Sequence, residues 1–160
     1  MRTSTKLGLL GALYLSQGLP YGFFTQALPA LLRTMGLSLP DIGLTSLLAL
    51  PWALKFLWAP WVDRWQLPGL GRRRSWILAI QMLTVLAMLG LGVVRPESQI
   101  SLLMAAFLLT NLLAATQDIA TDGLALDLLA PAERGLANGL QVAGYRAGIC
   151  LLYTSPSPRD

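Results

Sequence analysis

Four ionisable side chains, Lys55, Asp118, Asp122 and Arg146, lie inside long apolar runs. An isolated charge in such surroundings is costly. Charged residues there pair with one another or face a polar cavity, and they mark ion, proton or ligand pathways. Asp118 and Asp122 are four residues apart, which puts both carboxylates on one face of a helix. Two carboxylates that close, in a poorly hydrated site, resist ionising together, a property suited to a proton carrier. Lys55 and Arg146 supply the opposite sign. Lys55 precedes Arg64 by nine residues, roughly 13 Å along a helix, and Arg146 follows Arg134 by twelve, roughly 18 Å. At that depth Lys55 does not easily extend its charged end to the interface. Two roles are open to the four charges: fixed ion pairs that hold a bundle together, or a polar site between helices. Gln117, next to Asp118, can hydrogen-bond either a ligand or a neighbouring helix.

Other chemistry is excluded by what the chain lacks. There is no histidine and a single cysteine in 160 residues. Zinc, haem and histidine-based acid–base chemistry are therefore not expected, and no internal disulfide can form. No catalytic group, metal or cofactor is expected. Only 12% of residues are charged and 54% are hydrophobic, against about 25% charged in ordinary soluble chains. With a mean hydropathy of +0.57, the composition is that of a membrane protein whose partner is the lipid bilayer. The net charge of +4 does not point to nucleic acid, because the positive residues form short clusters between apolar segments.

Five apolar segments must position these residues: 7–32, 42–62, 76–94, 100–129 and 136–149. The first four are near or above the ~20 residues that cross a hydrocarbon core. A soluble bundle would need a polar face on each helix, and residues 77–94 offer only Gln81 and Thr84. The fifth segment is cut short by residues 150–160, CLLYTSPSPRD, which resemble a translated sequencing-library adapter. That tail is expected to be non-native, leaving residues 1–149 as helices one to five. No cleavable signal peptide is expected, since the apolar run after Arg2 and Lys6 continues too far. The joins carry turn chemistry at Met35-Gly36, Ser38 to Asp41, Pro68 to Gly71, Arg95 to Ser98 and Pro131 to Glu133. In the first segment, Ser16-Gln17-Gly18-Leu19-Pro20 predicts a broken helix. Pro20 removes a backbone bond, and such breaks in membranes lie at packing kinks or at ligand sites. Seven basic residues (Arg2, Lys6, Arg64, Arg72, Arg73, Arg74, Arg134) fall on one side of these segments and two (Arg33, Arg95) on the other. That bias places the N-terminus in the cytoplasm. Trp58, Trp61, Trp65 and Trp76 bracket the basic loop as an interfacial belt.

That loop reads Asp63-Arg64, then Gly71-Arg72-Arg73-Arg74. The carboxylate can accept hydrogen bonds from loop arginines, a latch that a conformational change opens, while the arginines also hold the loop in the cytoplasm. The pattern resembles the signature loop of the major facilitator superfamily, with a longer gap at residues 65–70. Lys55 to Pro60, Asp63-Arg64, Gly71 to Trp76, Gly18-Leu19-Pro20, Gln117-Asp118-Ile119, Asp122, Glu133-Arg134-Gly135 and Gly144-Tyr145-Arg146 together resemble the AmpG-type muropeptide permeases, over residues 16–149. Membrane acetyl-CoA transporters share part of the set, notably Gln117-Asp118-Ile119-Ala120. The resemblance implies an all-α polytopic bundle, the incomplete N-terminal half of a two-half permease in a bacterial inner membrane. It further implies proton-coupled uptake of anhydro-muropeptides or a related wall-derived solute, and an acetyl-CoA-type or other organic-anion permease is the alternative. Substrate and protons would pass Gln17, Gly18, Lys55, Gln117, Asp118, Asp122 and Arg146, with Asp63, Arg64, Gly71, Arg72 and Arg73 forming a cytoplasmic gating loop. A more distant reading is an intramembrane carboxylate enzyme such as a phosphatidyltransferase. Asp118 to Gly123 suggests one superficially, but Leu124-Ala125-Leu126 follows where such enzymes carry an arginine.

Overall fold

The computed structural model describes residues 3–34, 36, 38–65, 71–91 and 100–153. Arg2, Met35, residues 66–70, Arg95 to Ser98 and residues 154–160, all used above, lie outside the described residues. Every regular element among the described residues is helical, so the chain is all-α. The elements are α1 (Thr3–Gly22), α2 (Leu28–Thr34), α3 (Leu39–Thr45), α4 (Leu50–Leu54), α5 (Ala59–Arg64), α6 (Arg72–Leu91), α7 (Ile100–Leu128) and α8 (Arg134–Tyr153). Among the described residues, two helices are long and apolar enough to cross a membrane, Arg72–Leu91 and Leu102–Leu128. Four were expected. The first segment carries Ser16, Gln17 and Pro20, and the second is divided by its own prolines. α8 reaches 20 residues by continuing through Cys150 to Tyr153, into the stretch expected to be foreign. Helix propagation is local, and Leu151 and Leu152 sustain it whatever their origin.

The expected break at Gly18-Leu19-Pro20 is not present. α1 stays helical through Pro20, and the irregularity falls a turn later, in a π-helical turn at Phe23–Ala27. Pro20 leaves one bond unmade without breaking the helix. The Thr25 hydroxyl donates to the Tyr21 carbonyl at 2.7 Å within this stretch.

The chain groups into two compact units, Met1–Leu47 with Ala125–Asp160, and Leu48–Leu124. In the first, α1 packs along α8. Leu10, Tyr14, Ala125, Leu129 and Ala137 form the buried core, with Leu7, Leu128, Leu140 and Tyr145 against it. Three glycines allow the two helices to touch backbone to backbone. A Cβ on Gly18 would stand 2.7 Å from the Tyr145 carbonyl oxygen, and one on Gly148 would stand 2.8 Å from that of Leu15. A Cβ on Gly144 would meet the Leu15 amide nitrogen at 3.1 Å. At one end of this pair, Lys6 donates to the Leu128 carbonyl at 2.7 Å, serving one of the carbonyls left open at the end of α7. Glu133 accepts from Thr3 at 2.8 Å and from the Ala130 amide at 3.0 Å. Those two hydrogen bonds, in that order, with help from nearby Lys6, hold the Glu133 carboxyl below the usual carboxylate range despite some desolvation.

In the second unit, short helical pieces replace the single helix expected over 42–62. A 3₁₀ turn at Ser46–Ala49 precedes α4, and another at Lys55–Leu57 precedes α5. Pro51 and Pro60 each sit in the first turn of the α-helix that follows. A proline cannot donate to the carbonyl four residues back, so the preceding backbone tightens to three-residue bonding.

Candidate functional site

The second unit brings together part of the expected set. Lys55 Nζ bonds to Asp118 Oδ2, forming an ion pair between the 3₁₀ turn and α7. The Asp118 side chain is 3% exposed and that of Lys55 33%. A carboxylate so buried needs a cation to offset its lost hydration, and Lys55 supplies one. The ammonium also lies 6.0 Å from the ring centre of Trp52, within reach of a cation–π attraction. Gln117 is buried beside Asp118, and Asp122 lies one turn further on, half-buried.

Trp52, Asn111 and Thr116 in this region escaped the sequence reading, and Trp58 was read only as interfacial. Trp52 Nε1 donates to Asn111 Oδ1 at 3.2 Å, and Trp58 Nε1 donates to Thr116 Oγ1 at 3.1 Å. Trp58 is thus more than a belt residue. Asn111, 1% exposed, was legible as an amide inside an apolar helix, where it needs partners. The three-residue spacing of Trp52, Lys55 and Trp58 was a signal too, but only for a 3₁₀ backbone.

The basic loop contributes a second pair in the same unit. Arg73 in the first turn of α6 bonds through Nη1 to Asp63 Oδ1. Its guanidinium occupies the space that a Cβ on Gly123 of α7 would need. Gly71 positions this turn: its φ of +80° is readily adopted only by glycine. Its carbonyl accepts from the Ser75 amide at 3.1 Å and the Ser75 hydroxyl at 2.7 Å. Arg64 and Arg72 are exposed.

Gln17, Gly18 and Arg146 belong to the first unit. Gln17 is buried and accepts a hydrogen bond from the Tyr145 hydroxyl at 3.2 Å. Tyr14 and Tyr21 flank Tyr145, each with ring centres 6.2 Å away. Gly18 lies in the glycine contact between α1 and α8, while Arg146 is on the exposed side of α8. The glycines four apart at Gly144 and Gly148 were the sequence signal for that close crossing.

These features define an all-helical membrane protein with a buried ion pair inside its apolar segments. Residues 6–155 match the family model of acetyl-coenzyme A transporter 1, and the chain belongs to that family. It is similar to the anhydromuropeptide permease of Escherichia coli strain K12, at 35% identity over 134 residues, 84% of this chain and 27% of that protein. An uncharacterized protein of Haemophilus influenzae is 37% identical over 131 residues, 82% of this chain and 31% of that one. An uncharacterized membrane protein of Saccharomyces cerevisiae is 31% identical over 169 residues, 91% of this chain and 30% of that one. The chain therefore spans under a third of the length of these curated relatives. Membership of a transporter family sets the phosphatidyltransferase reading aside.

Proposed function

We propose that the chain is the first part of a secondary-active transporter in a bacterial inner membrane. It would form helices of the N-terminal half of a major facilitator superfamily permease, with the other half supplied by the rest of the same chain. The observation that carries this reading is the Lys55–Asp118 pair, held within apolar helices where unpaired charge is costly. The relative's name favours an anhydro-muropeptide as cargo. The family's name favours acetyl-coenzyme A or another organic anion. Either cargo is anionic at neutral pH and suits a cationic Lys55. Asp118 or Asp122 would carry the coupled proton.

The test is uptake by the full-length protein reconstituted in lipid vesicles. An acidic exterior should drive accumulation of radiolabelled anhydro-muropeptide, and acetyl-coenzyme A should compete if the second cargo is carried. Changing the carrier acid to Asn should abolish accumulation yet preserve exchange, because Asn keeps hydrogen bonding but cannot cycle a proton. Uptake indifferent to the gradient overturns the coupling, and uptake of neither probe overturns the transport reading.

Orientation has its own test, from the loop charge bias. With Cys150 replaced by Ser, a membrane-impermeant thiol reagent added to intact cells should label Ser98→Cys and leave Gly69→Cys untouched. The opposite labelling would reverse the topology.

A further inference from the structure

We infer that Trp52 and Trp58 are positioning residues for Lys55, a clamp that fixes its ammonium against α7 as a preset binding point for an anionic group of the cargo. This rests on the transport reading above. A lysine side chain is a flexible stem with a compact charge at its end, and its ion pair alone does not fix the backbone beneath it. Here both sides of that backbone are tied down. Trp52 in α4, Lys55 at the start of the 3₁₀ turn and Trp58 at its end are three residues apart, a spacing that keeps them on one side of the backbone. Their polar ends meet Asn111, Asp118 and Thr116, all on α7.

The polarity of each tether is determined. The single hydroxyl proton of Thr116 is donated back to the Leu112 carbonyl at 2.7 Å, which leaves its oxygen to accept from Trp58. The Asn111 Nδ2 donates to the Phe107 carbonyl at 3.2 Å, which leaves Oδ1 to accept from Trp52. Each acceptor is oriented by a hydrogen bond within its own helix. Asp118 is almost fully enclosed while a third of Lys55 is exposed, so the cation has an open side and a closed side. An anion would approach the open side. Asp118, on the closed side, offsets part of the hydration that the ammonium loses in apolar surroundings.

The experiment is a double-mutant cycle in the full-length transporter, with uptake of radiolabelled anhydro-muropeptide and of acetyl-coenzyme A measured at matched protein level. Trp58→Phe and Thr116→Val should each raise KM for the transported probe by about three- to tenfold with maximal rate little changed, the range one neutral hydrogen bond spans. The double variant should be no worse than the poorer single, because both remove the same bond. Thr116→Ser, which keeps the hydroxyl, should restore the parent KM. If Trp58→Phe does not accumulate in the membrane, Thr116→Ser against Thr116→Val decides alone. A KM that follows the hydroxyl supports the clamp, and equal KM values in both overturn it. Independent, multiplying effects in the cycle also overturn it. Lys55→Met keeps the two ideas apart: if that variant transports normally, the transport role of Lys55 fails, whereas a defective Lys55→Met beside a normal Trp58→Phe removes only the clamp.

Discussion

Full-length transporter carrying Lys55→Met is expected to reach the membrane in reduced amount and to take up no cargo. Two effects are superposed in that result. The variant loses the cation that cargo would use, and it leaves Asp118 buried without its partner. Stranding one member of a buried pair costs about 3–5 kcal/mol in soluble proteins, enough to lower the folded population by itself. The double variant Lys55→Met/Asp118→Asn separates the two. It removes both charges, so no uncompensated ion remains, and its membrane level should recover toward that of the parent. Uptake should still be absent. Recovery of uptake together with protein level would make the pair a structural bolt and nothing more.

The second large effect is expected at Gly148. Gly148→Val should separate α1 from α8 and sharply lower the yield of folded protein after detergent extraction. Its Cβ would stand 2.8 Å from the Leu15 carbonyl oxygen and 2.9 Å from Gly18 Cα, and these are backbone atoms that cannot rotate aside. Overpacking a core usually costs about 1–3 kcal/mol even where side chains can shift, so this position should lie at or beyond the upper end. Gly139 in the same helix is the control, because a Cβ there has nothing within 4 Å. Gly139→Ala should raise stability by roughly 0.5–1 kcal/mol through helix propensity alone. Thermal unfolding of the two variants side by side checks the contrast. A Gly148→Val protein as stable as the parent would mean that the two helices do not touch there.

The all-α class was legible because long apolar runs with few charges leave the backbone little choice but to bond within itself. The choice between Asp118 and Asp122 was not. A four-residue spacing puts both on one face, and helical period cannot say which of them Lys55 meets. Packing answers it: Lys55, at the start of the 3₁₀ turn Lys55–Leu57, lies against Asp118 of α7. Asp63 presented the same difficulty, with three adjacent arginines open to it. Arg73 is the one it bonds, while Arg72 and Arg74 are exposed, because successive residues of a helix point about 100° apart. The glycine contact was half visible. Gly144 and Gly148 share a spacing that suits close helices, but nothing local to them names Gly18 as the opposite surface. Trp58 was read by residue type as interfacial, and its indole N–H finds Thr116 only once the two helices lie side by side.

The two sides of α8 meet different physical constraints. Tyr145 reaches Gln17 on α1, and the next residue, Arg146, is exposed. A side chain at Gly144 or Gly148 would run into the α1 backbone at Leu15, so neither position has room for one. Val142 and Arg146 meet no such barrier. The glycine side of α8 is thus committed to α1, and the exposed stripe through Val142 and Arg146 is where a substitution meets no opposing backbone.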